Sequence, residues 1–283
     1  MRVLVTGYKG QLGYDVVKLL DERGIFCKGV DIEDFDLTDK TAVSQYIRAF
    51  APTAVIHCAA YTAVDKAEED KDISYAVNVT GTENIARICK ETGAKMVYIS
   101  TDYVFDGEGD KPFEVDSVKA PKGHYGFTKS LGEDKVMEYL SEYFIVRTAW
   151  VFGINGNNFI KTMIRLGKER EEISVVCDQI GSPTYTADLA VLLCDMILTD
   201  RYGVYHATNE GFCSWYIFAC AIMKEAGLSA RIKPVTSEQY PSKAVRPKNS
   251  RLSKTSLEKA GFERLPKWQD ALKRYVAEMN ERE

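Results

Sequence analysis

The first half of the chain alternates short apolar runs with longer stretches in which apolar residues recur at helical spacing. Arg2–Thr6 and Ala54–His57 are apolar runs of the length that buried strands have. Between them, residues 11 to 23 place Leu12 and Val16 on one helical face. Consecutive strands joined by a crossover helix lie parallel in one sheet. The alternation therefore predicts an α/β fold with a doubly wound parallel sheet.

This alternation continues to residue 150 and then gives way to shorter elements. Predicted strands in the first part are residues 2–6, 25–30, 54–57, 95–100 and 143–147. Predicted helices are residues 11–23, 38–50 with Thr38 as its N-cap, 72–92 and 125–140, then 159–168, 186–198, 214–226 and 267–279. We expect a larger domain at residues 1–150 and a smaller α+β substrate domain at residues 151–283, with later segments able to rejoin the first sheet.

Composition narrows the class of protein. A length of 283 residues leaves room for one large or two modest domains, at about 150 residues each. Apolar residues make up 45% and charged residues 28%, which argues against disordered and fibrous classes. The 37 basic and 41 acidic residues give a net charge of −4, so nucleic-acid binding is not expected. Seven scattered cysteines, and no apolar run long enough to cross a membrane, predict a cytoplasmic protein with reduced thiols and no membrane partner.

A glycine-rich turn points to the ligand. Gly7, Gly10 and Gly13 follow the first predicted strand and open the first predicted helix. Such glycines let the backbone approach a pyrophosphate, while the helix N-terminus supplies amide donors and a positive dipole. Asp31 ends the second strand, about 20 residues further on, where a carboxylate binds ribose hydroxyls. The combination predicts a dinucleotide site of the Rossmann type. Asp31 should repel a 2′-phosphate and favour NADH over NADPH, and Lys9 could partly offset that repulsion.

The Gly-x-x-Gly-x-x-Gly spacing after a Val-Thr strand resembles the extended branch of the short-chain dehydrogenase/reductase superfamily. That resemblance implies a Tyr-x-x-x-Lys pair preceded by a Ser or Thr. Tyr125 and Lys129 have this spacing, which places both side chains on one helical face. A tyrosine has an ordinary pKa of about 10, so it needs a nearby cation to stabilise its phenolate. The strand that ends at Ser100 and Thr101 brings the third group to the edge where open α/β sheets bind ligands.

Longer motifs over nearly the whole chain are similar to the dTDP-4-dehydrorhamnose reductase family. These motifs are residues 59–68 (AAYTAVDKAE), 100–105 (STDYVF), 147–151 (RTAWV), 156–159 (GNNF) with 161–163 (KTM), 178–184 (DQIGSPT) and 246–250 (RPKNS). The resemblance implies that Tyr125 protonates the C4 ketone oxygen of a dTDP-linked 4-keto sugar while NADH or NADPH delivers a hydride to C4. Lys129 would hold the nicotinamide ribose and lower the pKa of the tyrosine, and Thr101 would hydrogen-bond the carbonyl oxygen.

The resemblance also implies the binding residues. Those for the cofactor are Gly7, Gly10, Gln11, Leu12, Gly13, Asp31, Asp36, Leu37, Ala59, Ala60, Thr62, Tyr125 and Lys129. Those for the substrate are Thr62, Val64, Thr101, Asp102, Tyr103, Tyr125, Trp150 and, for the pyrophosphate, Arg246. Some family members dimerise through magnesium, and Asp15 could match one such ligand. Because the sequence places no other ligand, we predict no metal site, and we expect a monomer or a homodimer.

Two other functions stay open on sequence grounds. A nucleotide-sugar 4-epimerase of the same superfamily would carry the same cofactor site, whereas a 4,6-dehydratase tends to have an acidic residue where this chain has Tyr103. The chain also resembles the non-catalytic regulatory subunit of a methionine adenosyltransferase, which shares the fold. The intact Thr101, Tyr125 and Lys129 favour an enzyme over the regulatory subunit, and the family resemblance alone separates the reductase from the epimerase.

Overall fold

The computed structural model describes residues 1–282, and its centre is a sheet of six parallel strands. In order across the sheet they are β10 (Gly203–His206), β5 (Tyr143–Thr148), β4 (Lys95–Thr101), β3 (Ala54–His57), β1 (Arg2–Thr6) and β2 (Phe26–Val30). The chain reverses its direction of winding at β1, which lies between β2 and β3. In open parallel sheets a crevice forms beyond the carboxyl ends of the strands at this point.

Helices and short strands complete the fold. The helices are α1 (Gln11–Glu22), α2 (Lys40–Phe50), α3 (Val64–Ala67), α4 (Lys71–Tyr75), α5 (Thr82–Thr92), α6 (His124–Tyr139), α7 (Phe159–Glu169), α8 (Thr186–Met196), α9 (Trp215–Glu225), α10 (Thr255–Lys259) and α11 (Trp268–Arg282). The short strands are β6 (Val151–Phe152), β7 (Glu172–Val176), β8 (Ile180–Gly181), β9 (Thr184–Tyr185), β11 (Cys213–Ser214) and β12 (Arg231–Val235). They pair as β6 with β9, β7 with β12 and β8 with β11. Within residues 1–282, no helix combines the length and apolar character that crossing a membrane requires.

The central sheet is covered on both faces, and we call it and its covering helices the sheet region. Alternate strand residues point to opposite sides, so Val3 and Val5 pack with α1 and α8. Leu4 and Val55 pack on the other side with α2, α5 and α6. Strands buried on both faces are apolar along their whole length, which explains the continuous apolar runs of the sequence.

A separate core lies outside the sheet, and we call the elements around it the outer region. They are β6, β7, β9, β11, β12, α7, α9 and α11. Phe152, Phe218 and Tyr275 are fully buried there and pack ring against ring. The chain crosses between the two cores more than once, because α8 and β10 belong to the sheet region while α9 and α11 belong to the outer region.

The structure differs from the sequence expectations at several points. Residues 203–206, an apolar run whose place in the sheet the sequence left open, form β10 and extend the sheet beyond β5. The single helix expected over residues 72–92 is interrupted by a π-helical turn at Ala76–Gly81. Thr38 does not cap α2, because its hydroxyl donates to Asp36 and the Asp39 side chain accepts from the first amides of the helix instead.

Candidate active site

A cleft with a volume of about 820 Å³ opens beyond the carboxyl ends of β1, β3 and β4. It runs between the glycine turn and the start of the outer region. Every residue that the sequence predicted for the cofactor or the substrate lies on its wall. They are Gly7, Gly10, Gln11, Leu12, Gly13, Asp31, Asp36, Leu37, Ala59, Ala60, Thr62, Val64, Thr101, Asp102, Tyr103, Tyr125, Lys129, Trp150 and Arg246. The ends of five strands, β1 to β5, and several distant loops therefore converge on one site.

The glycine turn has no room for larger side chains. Gly7 has a φ of 69°, and a Cβ there would lie 2.7 Å from the backbone of Ala59. A Cβ on Gly13 would collide with the Gly7 carbonyl oxygen. Gly10 is the N-cap of α1 and offers no side-chain cap, so the first amides of the helix stay available to an anion. The turn therefore fits a dinucleotide pyrophosphate.

Asp31 and Lys9 lie close together at one end of the cleft. The Asp31 carboxylate follows β2 and accepts from the backbone N–H of Lys9 at 3.1 Å. The Lys9 ammonium, however, contacts Glu33 at 2.8 Å. The Lys9 charge is therefore shared between Glu33 and Asp31, and the partial offset of the Asp31 charge by Lys9 stays a prediction. The end of the cleft near Asp31 and Asp36 is acidic.

Tyr125 lies in the first turn of α6, against the end of β4. Burial raises the pKa of Tyr125 above its ordinary value, and a hydrogen bond with the Thr101 side chain opposes that rise. Gly126 lets the helix approach this closely, because the Tyr103 carbonyl oxygen occupies the space that a Cβ would need. The positive end of the helix dipole also favours a negative charge in the first turn. The phenol is thus neutral at rest, in a place where its anion can be stabilised.

Lys129 lies one turn further along α6 and is 3% exposed. Its ammonium lies over the ring of Tyr98, 4.1 Å from the ring centroid. Burial lowers the pKa of Lys129 to about 7, and the Glu133 carboxylate opposes this shift. The lysine is therefore held close to the point at which it exchanges its proton at neutral pH.

Asp102 is a buried acid beside Thr101. Its Oδ1 accepts from the Thr101 hydroxyl at 3.0 Å, and Oδ2 is buried with no hydrogen-bond partner within residues 1–282. Burial raises the pKa of Asp102 to about 6. An unsatisfied buried carboxylate oxygen is costly, so a ligand hydroxyl that donated to it would be bound favourably.

A second cavity of about 370 Å³ continues the cleft into the outer region. Trp150 lies at the junction with a φ of 51°, and its ring stacks on Trp215 at 3.7 Å between centroids. Arg246, also at the junction, pairs with Asp65 and donates to the Tyr103 hydroxyl at 3.2 Å. Neither this cavity nor most of its lining residues were predicted from the sequence. Its additional lining residues include Phe159, Met163, Gln179, Trp215 and Tyr240.

Asn78 is a further residue that supports the site and was not predicted from the sequence. It lies in the π-helical turn, and its side chain accepts from Tyr61 N at 2.8 Å and donates to Tyr61 O and Thr128 Oγ1. These bonds fix the loop of residues 59–62 against α6. The irregular turn, which places this amide, has no clear signal in the apolar pattern.

No group of three or more His, Cys, Asp or Glu side chains is placed to hold a metal ion in the described part of the chain. Asp15, the one residue considered for magnesium, is buried and accepts from the Thr186 hydroxyl. His57 and His206 are also buried. His57 lies between the hydroxyls of Thr6 and Thr82, as expected of a structural histidine.

Comparison with known proteins identifies the family. The family described as "RmlD substrate binding domain" matches residues 1–281. This chain belongs to that family. A dTDP-4-dehydrorhamnose reductase from Streptomyces griseus is 41% identical over 278 residues, which cover 96% of this chain and 91% of the relative. The spore coat polysaccharide biosynthesis protein SpsK of Bacillus subtilis is 40% identical over 277 residues, 98% of this chain and 97% of its own.

A solved structure of the RmlD family agrees closely with this fold. The dTDP-4-dehydrorhamnose reductase of Bacillus anthracis, determined in complex with NADP, superposes with a TM-score of 0.96 and is 45% identical. The match covers 98% of this chain and 99% of that one. Together these relatives favour the reductase over the epimerase and the regulatory-subunit alternatives.

Proposed function

We propose that this chain is an NAD(P)H-dependent reductase that converts dTDP-4-dehydro-L-rhamnose to dTDP-L-rhamnose. The observation that carries the proposal is the placement of Tyr125, Thr101 and Lys129 on the same cleft as the glycine turn. The reductase names of relatives that span nearly the whole chain support the same substrate.

The residues present fit a dinucleotide. Gly7, Gly10 and Gly13 leave room for a pyrophosphate, and the amides of α1 face it. Asp31 is placed to accept from ribose hydroxyls. Ala59 and Ala60 leave a shallow wall at the centre of the cleft. When bound, the reduced nicotinamide supplies the hydride that adds to C4 of the sugar.

Tyr125 supplies the proton in this proposal. The pKa of Tyr125 is raised by burial, so its hydroxyl is protonated at neutral pH, which is the form that a reduction needs. As the ketone is reduced, its oxygen takes that proton and leaves a phenolate. An ammonium at about 4 Å with an effective dielectric of about 20 stabilises such an anion by about 4 kcal/mol before desolvation is counted. Lys129, one turn further along α6 and on the wall of the same cleft, is the cation that we assign to this role.

Thr101 and Asp102 act beside the tyrosine. The Thr101 hydroxyl can donate to the ketone oxygen and so stabilise the charge that develops on it. In the free protein that hydroxyl donates to Asp102 at 3.0 Å. Donation to the substrate therefore requires Asp102 to give up this bond, and its unpartnered Oδ2 is free to accept from a sugar hydroxyl. Thr62, Val64, Tyr103 and Trp150 complete the sugar pocket in this proposal.

The nucleotide half of the substrate is assigned to the second cavity. Aromatic walls such as Trp215 and Tyr240 suit a flat base. Arg246 lies where the two cavities meet, which is where a diphosphate between sugar and nucleoside would pass. A guanidinium binds phosphate oxygens in a two-pronged manner, so Arg246 would exchange Asp65 for the substrate.

Cellular location and assembly belong to the same proposal. All seven cysteines are unpaired within the described residues, which supports a reducing cytoplasm. A monomer or a homodimer that needs neither nucleic acid nor a membrane is sufficient, because one chain supplies the whole cleft.

The test is direct. The purified chain is mixed with dTDP-4-dehydro-L-rhamnose, made enzymatically from dTDP-glucose, and the loss of NADH or NADPH absorbance is followed. We expect oxidation of the cofactor in proportion to the dTDP-L-rhamnose formed. Absence of turnover with either cofactor, together with capture of a synthetase partner, would favour the regulatory subunit. Interconversion of C4 epimers without net oxidation would favour the epimerase.

A further inference from the structure

A buried carboxylate lies one helical turn beyond Lys129 and has no part in the chemistry above. Glu133 on α6 is fully buried. Its Oε1 accepts from Ser100 Oγ at 2.5 Å and from Arg147 Nε at 2.8 Å, and its Oε2 accepts from Arg147 Nη2 at 2.8 Å. Both oxygens are thus occupied by groups of the sheet.

These bonds join the helix of the site to its two neighbouring strands. Ser100 on β4 and Arg147 on β5 are register partners, and Ser100 immediately precedes Thr101. Glu133 therefore ties α6, which carries Tyr125, to the strand end that carries Thr101. A slip of α6 along the sheet would break all three bonds at once.

We propose that Glu133 is a positioning residue for the reduction: it fixes α6 against the end of β4, and it places a negative charge one helical turn from Lys129. This inference rests on the proposed function, because it assigns Glu133 a role in the same proton transfer. Glu133 acts through Lys129 and touches neither substrate nor cofactor.

The surroundings of Lys129 single out Glu133 as the source of negative charge. The titratable groups around Lys129 are Tyr98, which lies under its ammonium, His57, Cys58 and Glu133, which interact with it electrostatically, and Tyr125, one turn earlier on α6. Burial lowers the pKa of His57 to about 3 and raises that of Cys58 to about 12, so both are neutral at pH 7. Burial also raises the pKa values of Tyr98 and Tyr125, which keeps both phenols neutral. Glu133 is the anion of this set.

Glu133 is itself kept ionised by its partners. Burial alone would raise its pKa, but the guanidinium of Arg147 more than offsets this and holds the pKa below its ordinary value. The ammonium of Lys119, 3.5 Å from Oε2, adds to the effect. The charge is therefore fixed over the pH range in which Lys129 titrates.

The experiment removes this charge in two ways. Glu133→Gln keeps the shape of the side chain, but it leaves the buried charge of Arg147 unpaired, which is destabilising. The double variant Glu133→Gln/Arg147→Met removes both charges and is made alongside. Glu138→Gln is the matched control, because Glu138 lies on the same helix in an exposed pair with Lys135. Each variant is assayed for kcat against pH, and for NADH affinity against pH by fluorescence without substrate.

In the wild type, kcat should fall as the pH rises through the pKa of Lys129, because the ammonium form is the active one. Loss of a neighbouring negative charge makes protonation harder, so this fall should move about one pH unit lower in Glu133→Gln. It should move in the same direction but less far in the double variant, which also loses the opposing charge of Arg147. The pH midpoint of NADH affinity should move with it, and Glu138→Gln should change neither.

A lower kcat with an unshifted pH midpoint would show that Glu133 has only a structural role and would overturn the proposal. If Glu133→Gln does not fold, the double variant decides by the same criterion. If the wild type does not turn over the keto sugar, the proposed function has failed, while the pH midpoint of NADH binding still tests Glu133.

Discussion

The two sides of the cleft are built in different ways. On the side of the sheet region, the backbone makes the site: Gly7 and Gly13 leave space, and α1 presents its amides. On the side of the outer region, side chains from distant segments make it, with Trp150 stacked on Trp215 and Arg246 held by Asp65. A backbone-built site is local in sequence and can be seen in residue spacing. A side-chain-built wall exists only after the chain has folded.

The strongest test of the comparison is at Tyr125, where the two sides meet. Tyr125→Phe should lower kcat by about 10²- to 10⁴-fold, the usual effect of losing a general acid. NADH affinity should be unchanged, because the glycine turn is intact. The control is Tyr139→Phe, on the same helix but bonded to Glu83 away from the cleft. Near-normal turnover by Tyr125→Phe would mean that another group supplies the proton.

The backbone side can be broken by a single methyl group. Gly7→Ala places a Cβ 2.7 Å from Ala59 at a φ of 69°, so the turn must deform and NADH affinity should fall by about a hundredfold, or about 3 kcal/mol. Gly24→Ala is a matched control, because Gly24 has a similar φ of 66° and no atom lies within 4 Å of its added Cβ. Equal NADH affinity in the two variants would show that the cofactor does not bind against the glycine turn.

On the side of the outer region, substitution of Arg246 should change the affinity for the substrate and leave that for NADH unchanged. Arg246→Met keeps the apolar stem of the side chain and removes its guanidinium. Because a hydrogen bond to a charged group contributes about 1.5–3 kcal/mol, the KM for the nucleotide sugar should rise by roughly 10- to 100-fold. Steady-state kinetics with the nucleotide sugar measure the change in KM. The control is Lys243→Met, which lies three residues from Arg246 and loses only an exposed pair with Glu69. A change in NADH affinity instead would place Arg246 on the cofactor side.

The smallest expected effect concerns the choice of cofactor. Because the Asp31 carboxylate lies at the acidic end of the cleft, the wild type should use NADH as well as NADPH or better. Asp31→Ser removes one like charge from the 2′-phosphate, so the ratio of kcat/KM for NADPH to that for NADH should rise about tenfold. A wild type that prefers NADPH by orders of magnitude would contradict this reading of Asp31.

These contrasts explain what the sequence could predict. The parallel sheet could be predicted because its strands, buried on both faces, form continuous apolar runs. The site residues could be predicted because the family motifs lie where strands end or helices begin, and these points meet at one cleft. The place of β10 in the sheet was left open because four residues, Gly203–His206, are too short a run to indicate which strand they pair with. Trp215 and Asn78 were missed for another reason. Neither is near a predicted site residue in sequence, and only tertiary packing brings them there.

The repeated crossing of the chain between its two cores has a consequence for recombination. Cutting after residue 150 would remove α8 and β10, exposing the apolar surface of α1 and Phe144 that they cover. Exchanging the outer region between relatives would therefore require several junctions at once. We expect substrate preference in such chimeras to be transferred through scattered wall residues and not by grafting one contiguous segment.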